Sequence, residues 1–306
     1  MSTVKREDGR EQERPESAAQ VGLKGEAARA HRAASLTNWE EAASGWIARQ
    51  ETLRKLSAPV SHWMLDAVDL QPGQRVLELA AGLGETGFLA AELVAPAGGV
   101  ITSDQADAML DGARRRAGEM GLTNVEFQVL NAEWIDLPLA SVDAVLCRWG
   151  YMLMADPAVA LAETRRVLRP EGHVALAVWD SIERNPWALH PGAELIERGL
   201  APPPAPGTPG PFALADKQGV RELLRAAGFQ EVWVERLAFS QRAESFEEFW
   251  ETTLDIARGF HDAVLARPED EIAQIRKSLA KRLKPFTAGD GSLEIPMQAL
   301  MGTGTA

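Results

Sequence analysis

From residue 75 onwards, short apolar runs and amphipathic helical stretches take turns with connections of a few residues, which leaves the chain few ways to fold. Runs at 75–80, 99–103, 125–130, 142–147 and 173–179 read as strands apolar on both faces, as buried parallel strands require. The spacing between them predicts helices. One over 106–119 carries Met109, Leu110, Ala113, Ala117 and Met120 on one side and closes at Gly121. Asp156-Pro157 caps a second that Pro170 stops, and Asp216 caps a third that ends at Gly228. The alternation predicts an α/β fold in which helices cover both faces of a mostly parallel sheet.

The flanks have a different texture. Residues 1–36 hold many Glu, Arg, Ala and Gln and almost no large apolar group, so they are expected to be a disordered tail. Ser57 followed by Pro59 is expected to open a helix whose apolar positions are Val60, Trp63, Met64, Ala67 and Val68. Between Asp180 and Pro211 the rhythm breaks into a Pro/Gly-rich stretch, read as a surface crossing or lid. A sixth strand is expected at 231–240, and Ser245 with Glu248 forms a capping box ahead of a helical hairpin. The run 295–301 returns as a last strand. One domain over 37–306 is therefore expected, with lid segments at 181–215 and 245–288.

The first strand runs straight into Ala80-Ala81-Gly82-Leu83-Gly84-Glu85-Thr86-Gly87, and a helix follows. Gly82, Gly84 and Gly87 satisfy GxGxxG, whose glycines permit a tight turn and close approach of a ligand at a helix N-terminus. Asp104 stands twenty-two residues after Gly82, at the end of the second strand, where a carboxylate can accept hydrogen bonds from ribose hydroxyls. Two ligands compete for such a loop. A dinucleotide would lay a pyrophosphate across it, yet Glu78 and Glu85 flank the loop and it contains no Lys or Arg. S-adenosylmethionine, an adenosine bearing an ammonium and a sulfonium, suits those carboxylates better.

The motifs resemble those of class I S-adenosylmethionine-dependent methyltransferases, in particular the ubiquinone/menaquinone-biosynthesis-like small-molecule group, over about residues 57–240. Glu78-Leu79-Ala80-Ala81-Gly82-Leu83-Gly84 is similar to the first family motif, with Ala80 in place of its first glycine. Ser103-Asp104-Gln105-Ala106-Asp107-Ala108-Met109 resembles the second-strand motif, and Asn131-Ala132-Glu133 the adenine-edge motif. Leu137-Pro138, the strand ending at Cys147, and Leu168 to His173 complete the series. The resemblance implies a Rossmann-like seven-stranded sheet with an antiparallel last strand. It also implies a helical lid insertion and a cofactor site drawn from Glu78, Ala80, Gly82, Gly84, Asp104, Gln105, Met109, Asn131, Ala132, Glu133 and Cys147.

For the methyl acceptor, residues over the strand ends offer Trp39, Trp46, Arg148, Trp149, Tyr151, Trp187, Phe246 and Trp250. Their aromatic character points to a small flat or apolar acceptor. Each also has a plain packing reading: Phe246 and Trp250 as the hairpin's own apolar face, Met109 as core, Arg148 as a structural ion pair. Catalytic residues are not assignable by motif. His190, beside Trp187, is the candidate base, with His62 and His261 behind it.

Composition removes several other functions. Lys and Arg number 32 against 44 Asp and Glu, a net charge of −12, which repels nucleic acid and anionic lipid. No run approaches the roughly 18 apolar residues that cross a bilayer. A single cysteine and the absence of His/Cys ligand spacing argue against disulfides and metal, and for the cytoplasm. The expected partner is a small-molecule acceptor, and the expected assembly a monomer or homodimer. Two alternatives stand beside the methyltransferase: an NAD-dependent oxidoreductase using the same loop, for which a YxxxK pair is lacking, and a cofactor-binding protein without catalysis.

Overall fold

The computed structural model describes residues 22–306. The first five strands, β1 (Arg75–Leu79), β2 (Gly99–Asp104), β3 (Val125–Val129), β4 (Val142–Arg148) and β5 (Leu168–Trp179), run parallel. With β6 (Gln230–Ala243) and β7 (Leu293–Thr305) they form one seven-stranded sheet in the order β3-β2-β1-β4-β5-β7-β6. β7 is antiparallel to both of its neighbours.

The chain therefore steps outward from β1 to β3, then returns to the other side of β1 and steps outward again. Right-handed crossovers place the helices of the two halves on opposite faces. α3 (Glu85–Val94) and α4 (Asp107–Met120) join the first three strands, whereas α5 (Pro157–Val167) joins β4 to β5 and packs with α7 (Lys217–Ala226). The reversal between β1 and β4 is where a doubly wound sheet leaves a crevice outside its carboxyl ends.

The caps read from sequence are in place. Asp156 accepts from the N–H groups of Ala158 and Val159 at the start of α5, and Asp216 does the same for α7. Gly121 ends α4 in the left-handed conformation.

Five expectations need correction. Residues 1–21 lie outside the described chain, and from Gly25 the supposed tail is helical: α1 spans Gly25–Ala48. It is held less by apolar burial than by polar anchors. The Leu23 N–H donates to the Ala155 carbonyl at 2.6 Å, and the Glu40 carboxylate caps α4 through the N–H groups of Asp107 and Ala108. The next helix begins well before Ser57, as α2 spans Gln50–Val68 with Pro59 inside it. The proline forfeits one helical hydrogen bond. Leu53, Val60, Met64 and Val68 compensate by burying one continuous face of the helix.

β3 is not apolar on both faces, because it is the sheet's edge, with Glu126 and Val129 exposed. Within 181–215 the chain forms α6 (Pro186–Glu197), which accommodates Pro191. The expected hairpin is three helices, α8 (Phe246–Ile256), α9 (Arg258–Leu265) and α10 (Glu269–Leu283), because Ala257 leaves the helical conformation between the first two.

β6 and β7 outrun the sheet. Pairing of β7 with β5 stops at Ala299, whereas β6 and β7 continue together to Ala243 and Leu293. The free end of this ribbon carries α8 to α10, whose own apolar core includes Phe249, Trp250, Val264, Ile275 and Leu279. Among the described residues no helix is long and apolar enough to cross a membrane.

Met64 on α2 is wholly buried in the main core cluster with β1, β4 and β5. Met64→Ala is expected to lower unfolding free energy by about 2–5 kcal/mol, as measured by denaturant titration.

Candidate functional site

The loop after β1 is shaped by its own acid. Glu78 points back into the turn, its carboxylate accepting from the Gly87 N–H at 2.8 Å and the Thr102 hydroxyl at 3.3 Å. A Cβ on Gly87 would stand 2.2 Å from Glu78 Oε2, so the third glycine of GxGxxG admits this carboxylate. Gly84, at φ 81°, turns the chain into α3, and Ala80 also takes a positive φ of 50°.

Asp104 ends β2 facing that loop. Its carboxylate accepts from the Gly82 N–H at 2.9 Å and from the Ala106 N–H at 3.0 Å, which locks loop and strand end together. Burial raises its pKa, opposed by those backbone donors. Each oxygen keeps a second lone pair for a further donor.

Next to Asp104 lies a cavity of about 280 Å³ lined by Gln105, Val129, Leu130 and Asn131 from the strand ends, and by Arg32, Ala33 and Leu36 from α1. Its lining is largely apolar, with the amides of Gln105 and Asn131 beside Ala33, Leu36, Val129 and Leu130. Gln105 is steadied there by donating to Ser35 Oγ at 2.9 Å, and Asn131 turns the chain by accepting from the Glu133 N–H. Ala132 is buried beside them, and Met109 packs in a cluster with Leu83, Ala106, Trp39 and Trp46. A second depression, of about 470 Å³, lies at the opposite ends of β1 to β3, away from the loop.

An adenosine-bearing cation fits this donor set: a carboxylate and two amides beside a mostly apolar cavity, with the one lining cation, Arg32, paired to Glu133.

Other expected site residues have different work. Glu133 is spent on Arg32 and on the N–H groups of Ala155 and Asp156. Arg148 pairs with Glu85 at 3.0 Å and donates to Thr86, so it is a structural ion pair rather than a contact for an acceptor. Glu85 also binds Arg116 at 2.7 Å, so its charge is neutralised and does not bias the loop towards a cation, as its place in the sequence implied. Tyr151 is fully buried, its hydroxyl bonded to Thr164 at 2.6 Å. Phe246 and Trp250 pack in the core of α8 to α10, with Trp250 edge-on to Phe260. His190 lies against Phe286, where burial and then Arg282 lower its pKa.

Trp39 and Trp46 meet edge to face at 5.4 Å, and Trp46 covers the glycine loop, 3.5 Å from where a Gly82 Cβ would stand. They lie on the glycine-loop side of the crevice. On the other side, Trp149 stacks on Trp179 with centroids 4.4 Å apart, and Trp179 meets Trp187 at 4.9 Å. Trp149 holds a positive φ of 61°, and its buried indole N–H has no partner among the described residues. Sequence reasoning missed Trp179 in this cluster, and Arg32, Ala33 and Leu36 of the cavity, which sit in the presumed tail.

Cys147 is buried at the end of β4, and burial pushes its thiol up to about 12. It is expected to resist alkylation at pH 8 until the protein unfolds, as mass spectrometry after iodoacetamide would show. Burial, opposed by the Gly87 N–H, pushes the Glu78 carboxyl up to about 7. Because that value lies above the unfolded one, the native state binds the proton more tightly. The stability it contributes is full at low pH and is lost as pH rises from about 4.5 to about 7. Glu78→Gln is expected to flatten that part of the stability profile in denaturant titrations at pH 5 and pH 7.5, and an unchanged slope would contradict it.

Comparison with known proteins agrees with this geometry. Residues 70–224 match the family described as "Methyltransferase domain". The chain is 34% identical over 186 residues to nocamycin O-methyltransferase of Saccharothrix syringae, covering 57% of this chain and 65% of that protein. It is 33% identical over 117 residues to aklanonic acid methyltransferase of a Streptomyces species, covering 38% and 53%. The YcgJ protein of Bacillus subtilis shares the fold at a TM-score of 0.52 and 17% identity, over 80% of this chain and 97% of that one. The chain spans between about a third and two thirds of the length of the curated relatives it matches. With the matched segment running from the turn before β1 to α7, this chain belongs to the methyltransferase-domain family of class I S-adenosylmethionine-dependent methyltransferases.

Proposed function

We propose that this chain transfers a methyl group from S-adenosylmethionine to an oxygen or carbon atom of a small, ring-bearing organic acceptor. The observation that carries the reading is Asp104: a buried carboxylate locked to the glycine loop, with free lone pairs beside a slot of about 280 Å³. In this reading Asp104 holds the ribose hydroxyls, and Gln105 and Asn131 face the adenine. The relatives named nocamycin O-methyltransferase and aklanonic acid methyltransferase support a small organic acceptor, and the first of them supports oxygen as the favoured atom.

Bound S-adenosylmethionine supplies an electrophilic methyl on its sulfonium. The protein's part is to align the acceptor in line with that methyl and to exclude water. Trp149, Trp179 and Trp187 offer rigid apolar contact for a flat acceptor, and α6 and α8 to α10 serve as the lid that closes over it. No base is assigned, because His190 makes its contacts inside the lid. An acceptor with an acidic hydroxyl group fits that arrangement, since such a group reacts as its anion without a strong base. The dinucleotide alternative has less support, since Tyr151, the lone tyrosine, is buried on Thr164. The lone buried cysteine is in keeping with a reducing cytoplasm.

Calorimetric titration with S-adenosylmethionine, S-adenosylhomocysteine and NADH tests the cofactor. The first two are expected to bind and NADH is not. Asp104→Ala is expected to weaken S-adenosylhomocysteine by about 1.5–3 kcal/mol, the worth of hydrogen bonds to a charged group. Unchanged affinity removes Asp104 from the site. Binding without turnover across a panel of phenolic acceptors would favour the non-catalytic alternative.

A further inference from the structure

Helix α1 touches both halves of the crevice. Near its C-terminus Gly45 meets α8 so closely that a Cβ would stand 1.9 Å from the Asp255 carbonyl oxygen. Glycine alone allows that approach without moving one of the two helices. The next residue, Trp46, lays its ring over Gly82 on one side and, on the other, donates its indole N–H to the Ile256 carbonyl at 3.1 Å. Ile256 is the last residue of α8, so this carbonyl is one of those a helix end leaves without an internal partner. Arg49 completes the junction, donating to Asp255 at 2.6 Å and to Glu251 at 3.2 Å.

The elements joined here have different duties. α8 opens the three-helix lid that the β6–β7 ribbon carries beyond the sheet, and its Phe249 and Trp250 are anchored in the lid's own core. α1 forms one wall of the slot beside Asp104. Lifting α8 therefore removes the Ile256 acceptor from Trp46 and the carboxylates from Arg49 in one movement.

We propose that α8 is a positioning element for the cofactor cleft. It holds Trp46 against the glycine loop, so that parting of α8 from α1 frees Trp46 and cofactor product leaves after the lid has lifted away from α1. This rests on the reading of the cleft as the S-adenosylmethionine site. Trp46 is the residue positioned; Gly45, Arg49, Asp255 and the Ile256 carbonyl position it.

The test is the release rate of S-adenosylhomocysteine from the full chain, followed in a stopped-flow chase with excess S-adenosylmethionine. Trp46→Phe keeps the ring and loses the N–H, and release is expected to quicken about fivefold, the worth of one hydrogen bond. Asp255→Ala, on the lid and away from the glycine loop, is expected to quicken release by a similar factor, and Asp255→Asn, which keeps an acceptor for Arg49, to restore most of the wild-type rate. Arg49→Ala combined with Asp255→Ala should be no faster than either alone. Glu247→Ala breaks an ion pair inside the lid, with Arg276, and is expected to leave release unchanged. Wild-type release from Asp255→Ala, or equal acceleration by Glu247→Ala, overturns the coupling while the cofactor site stands. Failure of the wild-type chain to bind S-adenosylhomocysteine overturns the site reading, and the coupling with it.

Discussion

The reversal of strand order between β1 and β4 is the constraint on which the rest depends. Right-handed crossovers on either side of that point send helices to opposite faces, and nothing covers the carboxyl ends of the strands between them. The chain fills the gap from both sides. Ala80 after β1 and Gly150 after β4 come so close that a Cβ on Gly150 would stand 2.7 Å from the Ala80 Cβ and 2.6 Å from the Cys147 sulfur. The crevice floor is thus made of small residues in tight contact, and a ligand must lie above them.

Three buried carboxylates surround that floor, and none is left without a partner. Glu78 takes backbone and hydroxyl donors, Asp104 takes two backbone N–H groups, and Glu85 takes two arginines. Burying a charge is tolerable only with such partners. The cost is distributed unequally: Glu78, bonded mainly to one N–H in a wholly buried turn, titrates near neutrality, whereas Glu85 is neutralised by Arg116 and Arg148. Acids that look alike in the sequence therefore differ in function. Two shape the loop, and Asp104 locks the loop to the strand end while keeping lone pairs for a further donor.

The aromatic residues divide in the same way. Trp39 and Trp46 pack by the glycine loop, Trp149, Trp179 and Trp187 form one cluster around the end of β5, and Phe246 and Trp250 hold α8 to α10 together. The division follows from the β6–β7 ribbon, which carries α8 to α10 far enough from the sheet to need a core of their own.

Much of this was legible in the sequence because it is local. Strand runs, the Asp156, Asp216 and Ser245 caps, the glycine loop and the Asp104 that answers it are set by residues a few positions apart or by one crossover. The antiparallel last strand followed from a family resemblance rather than from periodicity. What could not be read were contacts between distant segments. A stretch as polar as 25–36 looks unable to fold, and it is helical because Leu153, Glu133 and Gln105 offer its His31, Arg32 and Ser35 partners about 70 to 120 residues away. Arg148 and Tyr151 sit at the ligand end of β4, yet their side chains turn to Glu85 and Thr164. The sequence by itself determined the sheet, the glycine turn and the acid beside it, since short-range sterics and hydrogen-bonding chemistry suffice for those. Only the tertiary structure decided which charges and rings face the crevice, because each side chain's direction depends on a partner that the fold alone brings near.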